Sequence, residues 1–338
     1  MFKGVDFLSK NKISPCGGCA KKTSIGGQAL IEGIMMRGPE TSAMAVRNPE
    51  GEIVLEKWET KNLFKGRFFK LPFIRGVFNF IDSMISGYKS LMRSAEIAGF
   101  EDEDSGKKQS EGEAEDGGKK EPSKAGQIGM NILMVISAVL GVALAVGLFV
   151  LLPTFIYDML EKVVPVFKDN RFLQSVFEGI LRITIFLIYM ILVSRMKDIR
   201  RTFMYHGAEH KTIFCYEHGK ELTVENVRLE SRFHPRCGTS FMVLMLLVGI
   251  VIGMFIPANI PTLLRSGIKI LLLPITVGIG YELIKLAGKH DNVFTRIISQ
   301  PGMWFQRITT VEPEDDMIEC AIKAFVEVIP EDEKKASW

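Results

Sequence analysis

The sequence predicts a polytopic α-helical membrane protein of about four spans, with a small soluble N-terminal β-containing module and a C-terminal cytoplasmic helix. Three observations carry that prediction. Charge is dense in 100–124 and 194–236 but sparse in 127–157, 179–193, 240–256 and 268–281, a distribution that suits helices in lipid better than a soluble core. The N-terminal part instead alternates short apolar runs with turn residues. Four of the five histidines and two of the five cysteines fall between Arg200 and Phe241, flanked by apolar segments.

The chain has 338 residues, a formal net charge of +3 and 47% hydrophobic residues. That length allows more than one domain. The small charge, with no basic stripe interleaved with aromatics, argues against a nucleic-acid partner. The opening MFKGVDFLSKNK has no apolar core, so no cleavable signal peptide is expected. Five scattered cysteines fit a reducing compartment or metal binding better than a disulfide framework.

Residues 1–24 read as a flexible tail carrying Cys16 and Cys19. A single CxxC lacks the second pair a zinc ribbon needs, and no βαβ pattern supports a redox motif. Residues 25–99 read as a soluble β-rich module followed by an amphipathic helix. Ala43–Arg47 and Ile53–Lys57 flank Asn48-Pro49-Glu50-Gly51-Glu52, a hairpin composition, and Gln28–Pro39 supplies one or two more strands. Glu32 and Arg37 are read as surface or edge charges. Apolar residues recur at helical spacing from Phe73 to Ala95 but are broken by Arg75, Asp82, Lys89 and Arg93. That helix suits a membrane surface or the side of a bundle. Residues 100–126 carry too few apolar side chains to offset ordering and read as a disordered charged linker.

Residues 127–290 read as the membrane domain. Its expected spans are Ile128–Leu152, closed by Pro153, then Phe177–Val193, Phe241–Ile260 and Ile268–Leu286. Each is close to the ~20 residues that cross ~30 Å of hydrocarbon. Lys and Arg crowd the segment between spans two and three and are few in the other connections. The 194–240 loop and both termini are therefore expected in the cytoplasm. Residues 291–338 read as a cytoplasmic tail, with a helix starting after Glu312-Pro313-Glu314-Asp315-Asp316.

His206-Gly207-Ala208-Glu209-His210 is an H-x-x-E-H pattern. On a helix the two histidines share a face and could hold one ion, with Glu209 beside them as general base, as in the inverted zincin motif. The same residues could equally be polar positions of a basic interfacial loop. His234-Pro235-Arg236-Cys237 adds a second candidate pair. If spans two and three form a hairpin, their ends bring 206–210 and 234–237 to one depth, and His206, His210, His234 and Cys237 make a plausible zinc set. Three ligands with an open position would be catalytic; four would be structural. Glu282, inside span four, is a candidate further ligand or histidine partner, or else simply an ion-pair member.

At these residues the chain resembles the YqhQ family, bacterial membrane proteins of unassigned function described as predicted metal-dependent enzymes. The matching stretches are Gly26–Pro39, Tyr205–Lys211 (YHGAEHK), Glu225–Phe241 (ending HPRCGTSF) and Gln300–Glu314. They extend over most of the chain outside the linker. The resemblance implies a membrane location and a metal site, and names no substrate. Cys16 and Cys19 are not part of the matching pattern.

The reading that follows is a hydrolase at the cytoplasmic membrane interface that depends on zinc or another divalent metal. Its partners would be the lipid bilayer and an unknown protein or lipid-linked substrate, with room for a homo-oligomer. A non-enzymatic membrane scaffold or assembly factor with a structural metal is the alternative. A transporter fits less well, because intramembrane charges are few and no inverted repeat is evident.

Overall fold

The computed structural model describes residues 22–61, 63–64, 66–100, 136–167, 170–290 and 292–336. The tail segment bearing Cys16 and Cys19, the charged linker beyond Phe100 and the first residues of the first expected span lie outside the described residues.

Four antiparallel strands form one meander in the order β1 (Gly26–Leu30), β2 (Gly33–Arg37), β3 (Thr41–Arg47), β4 (Ile53–Glu59). The stretch before the expected hairpin is thus two strands. Gly51 closes the β3–β4 turn at a φ of 86°, a conformation that favours glycine. Side chains alternate across the sheet, and both faces are covered. Ile34, Met36, Ala43 and Ala45 pack on one side with residues of α4 (Lys197–Glu217) and α10 (Asp315–Val326). Leu30, Met35, Met44 and Val46 face Leu91 and Ile97 of α1 (Ile74–Ile97) on the other. The two helical layers over the sheet are therefore drawn from three distant parts of the chain. The 194–240 segment, expected as a loop off the membrane domain, is mostly α4 and the short α5 (Val224–Arg228), built into this body. Thr23, just before β1, is buried and donates its N–H to Glu217 (2.7 Å). Glu32 and Arg37 are likewise not plain surface charges: Glu32 pairs with Arg201 and Arg37 with Asp82.

The remaining helices are apolar. Two of them, α2 (Ile136–Val163) and α3 (Arg171–Val193), are long and apolar enough to cross a membrane. Pro153 does not end α2: a widened, π-type turn over Gly147–Leu151 absorbs it and the helix runs on. The fourth expected span is a bent pair, α7 (Thr262–Leu271) and α8 (Leu273–Lys289), with a 43° break before Pro274. It counts as a third crossing if the pair is one span. The third expected span, α6 (Gly238–Gly253), has 16 residues, about 24 Å of helix. These two to three apolar helices point to membrane association. A final helix, α9 (Val293–Thr309), crosses α6 where Gly302 meets Ser240, too close for any side chain at 302.

Candidate metal centre

His206 and His210 project from one face of α4, one turn apart, with ring centroids 4.4 Å from each other. Cys237 stands at the N-cap of α6, where its sulfur accepts from the Thr239 N–H (3.4 Å). Ligand atoms of His206, His210 and Cys237 all lie within 4.8 Å of one another.

Each histidine is held by its far nitrogen. His206 Nδ1 donates to the Thr309 carbonyl (2.8 Å), and His210 Nδ1 to the Arg232 carbonyl (2.6 Å). Backbone carbonyls only accept, so the bonds fix the proton on Nδ1 of the neutral ring and leave Nε2 as a lone-pair donor. His206 Nε2 lies 3.1 Å from Cys237 Sγ. His210 Nε2 is buried and has no hydrogen-bond partner among the described residues. A buried polar atom left unpaired costs free energy, unless something else binds there.

The electrostatics favour a thiolate. Burial opposes charge on Cys237, but His206 and His210 overcome it and hold the thiol well below its usual range. Burial likewise opposes the His206 imidazolium, and the Cys237 charge beside it lifts that group to about 9, so without an ion Nε2 keeps a proton that a metal would displace. Glu209 is buried next to this cluster. Burial raises its pKa, and His206 and His210 only partly offset the rise. Its carboxylate accepts the Gly27 N–H (3.1 Å). A Cβ at residue 27 would sit 3.0 Å from the Glu209 carboxyl carbon and 2.8 Å from Met36 Sδ, so only glycine lets β1 approach α4 so closely.

The other expected residues are placed differently. The His234 ring sits between those of His210 (5.5 Å) and Phe214 (4.6 Å), tilted to both. Its Nδ1 accepts from the Arg236 N–H (3.3 Å), while Nε2 faces Glu217 at 3.7 Å. It is therefore a wall of the site and not one of the three converging donors. Burial takes its pKa down to about 4 against the pull of Glu217. Glu282 is remote from the cluster: Arg75 grips it with two nitrogens and the Phe73 N–H also reaches it (3.3 Å).

Sequence reasoning missed the supports. Gln306, fully buried, brackets the 234 backbone, accepting from His234 N–H and donating to His234 O, both at 2.7 Å. That clamp sets where Cys237 stands. Gly27 carried a readable signal, since glycine inside a strand marks close approach. Gln306 and the carbonyls of Thr309 and Arg232 carried none.

Residues 71–331 match the family DUF1385, described as a protein of unknown function. The uncharacterised protein YqhQ of Bacillus subtilis (strain 168) is 33% identical over 324 residues, covering 95% of each chain. The chain belongs to this family. No solved structure matches it. The membership agrees with the resemblance carried by YHGAEHK and HPRCGTSF. All three converging donors lie in those two strings.

Proposed function

We propose that this chain is a metal-dependent hydrolase of the zinc type, working at the cytoplasmic face of a membrane. One observation carries the reading: the buried, unpaired Nε2 of His210 shares a pocket with a depressed-pKa thiol and a second oriented imidazole. Two nitrogens and a thiolate suit zinc, and three protein ligands are the number that catalytic sites use. His206, His210 and Cys237 would hold the ion. When bound, it would supply Lewis acidity to a scissile carbonyl or phosphoryl group. Glu209 would take up and return the proton, burial having raised its pKa above the usual carboxylate value. The Gly27 N–H keeps the carboxylate aimed, and His234 and Phe214 exclude water on one side. Gly27 also lines a cleft of about 460 Å³ along the β1 edge, beside Gln28 and Arg37, where a substrate would enter.

Topology supports a cytoplasmic site. The N-terminal sheet, α4 and α10 pack into one body, so they share one side of any membrane. Crossings between α1 and α4, and between α4 and α10, must then be even in number. The α2–α3 hairpin meets that condition. Beyond α4, α6 and the bent α7–α8 pair either both cross or both return, which favours four spans or two. The Lys/Arg excess around α4 favours the cytoplasm.

A purified full-length Glu209→Gln variant separates enzyme from scaffold, because Gln keeps an oxygen for Gly27. It should hold a full metal complement and wild-type melting temperature, yet fail to complement a deletion strain. Losing a general base costs ~10²–10⁴-fold in rate. His210→Ala should lose the metal. Full complementation by Glu209→Gln at normal expression would end the hydrolase reading and leave a structural clip joining α4 to α6.

A further inference from the structure

A second polar cluster lies among the apolar helices, and it is unbalanced. Glu178 of α3 is buried and paired with Lys269 of α7; Gln174 donates to the same carboxylate (3.0 Å) and Lys269 also reaches Thr154 (2.9 Å). That pair cancels. One turn on, at the middle of α3, stands Arg182. Its Nε donates to the Phe149 carbonyl (2.7 Å). The donor four residues after Phe149 would be Pro153, which has no N–H, so Arg182 fills a gap the proline leaves in α2. No carboxylate among the described residues forms an ion pair with the guanidinium; Glu178, one turn earlier and already held by Lys269, acts on it only through space. Its terminal nitrogens are left over as a fork that matches an oxyanion.

Arg182 lines a cavity of about 330 Å³ between α2, α3, α6 and α7. The other walls are chiefly apolar, including Phe186, Leu246 and Ile250. An ionisable side chain at mid-span facing a cavity marks a functional site by default. The occupant must supply one negative charge and otherwise be hydrocarbon. The volume is at the low end for ligand pockets and takes one chain, not two. A head group at this depth must also be small. We propose that the cavity binds a long-chain fatty carboxylate, its head on the Arg182 fork and its chain along α6. This site is separate from the metal centre and stands whether or not the chain is a hydrolase.

Equilibrium binding of radiolabelled oleate to the purified full chain in neutral maltoside detergent tests it, with oleyl alcohol and lysophosphatidylglycerol as competitors. The expected result is one saturable oleate site at which oleyl alcohol competes at least tenfold less well. Arg182→Gln should erase that preference. Gly249→Leu offers an independent check, because it retains Arg182 and fills the space about 4 Å from its Nη1; oleate occupancy should fall at least tenfold. Equal competition by oleyl alcohol would overturn the proposal. So would unchanged preference in Arg182→Gln, undiminished binding in Gly249→Leu, or a site that takes lysophosphatidylglycerol in place of oleate.

Discussion

The sheet-and-helix body and the apolar helices treat their side chains in opposite ways. In the body, large residues vanish from the surface: Phe325, Met36, Ile34 and Tyr205 are fully buried. In α2, Val139, Leu140, Val142 and Leu144 are all more than 60% exposed. The first region completes its own packing; the second has its outer face completed by lipid. Their polar groups differ too. In the body, Glu217, His234 and Arg236 form a linked set of buried groups, with the Thr23 N–H as a further partner. In α3 the central cation has a carbonyl and a cavity. What the chain supplies for itself and what it leaves to its surroundings can thus be read from exposure and pairing together.

The largest test of that contrast is core truncation. Phe325→Ala removes a ring packed 5.1 Å from Tyr216 and should cost roughly 3–5 kcal/mol. Leu144→Ala, at 70% exposure, should cost less than about 0.5 kcal/mol in detergent. Thermal unfolding of the purified variants reads both. Equal losses would mean that α2 has a protein partner on its outer face.

Next in size is the buried pair. Arg236 and Glu217 side chains are only 9% and 7% exposed, and Arg236 and Thr23 together with His234 keep the Glu217 carboxyl low against its burial. Arg236→Met strands a buried charge and should cost roughly 3 kcal/mol. Adding Glu217→Gln should recover much of it. Failure of the double variant to recover would show that Arg236 acts chiefly through its hydrogen bond to the Thr23 carbonyl.

Much of this body was legible in sequence, and the limits are specific. The β3–β4 hairpin and the C-terminal helix followed from turn residues and period, because those signals are local. That α4 belongs to the sheet and not to the membrane domain was hidden, since the contacts joining Tyr205 or Ala208 to the sheet are long-range and leave no spacing in the chain. For the site, two helical histidines and a nearby cysteine could be read from spacing. That His234 would turn toward Glu217 could not, because the ring's neighbours Glu217, His210 and Phe214 come from another helix and leave no spacing signal. Pro153 misled because a proline normally stops a helix, and here a widened turn and Arg182 together absorb it.

Acid should act on the body through His234, whose neighbours are Glu217, Arg236 and His210. Its folded pKa, about 4, lies below an unfolded value near ~6.5. The unfolded chain therefore binds more protons between these values, and stability falls as pH drops from ~6.5 towards 4, by at most roughly 3 kcal/mol. Loss through Glu217, whose carboxyl is depressed, begins as pH falls into the usual carboxylate range and so adds only at the low end of this window. His234→Gln should flatten the slope of melting temperature against pH in this window. An unchanged slope would assign the acid loss to another group.

The smallest effect should come from the pair that ties the β1–β2 turn to α4. Arg201 donates to Glu32 from Nε (2.6 Å) and Nη2 (2.5 Å). The geometry is as favourable as in the buried pair, but the side chains are 42% and 23% exposed. Water screens what burial would have preserved, and ordering two long side chains offsets part of the gain. A double-mutant cycle of Arg201→Gln and Glu32→Gln should therefore give a coupling of about 0.5–1 kcal/mol. That coupling should shrink as salt rises and the screening length falls from ~10 Å at 0.1 M to ~3 Å at 1 M. The Arg236–Glu217 coupling should hold through the same titration. If the two respond to salt alike, exposure is not what separates them. The Arg201 end of α4 would then be shielded by something outside this chain, and the place to look is the lipid surface near Val193, where α3 ends.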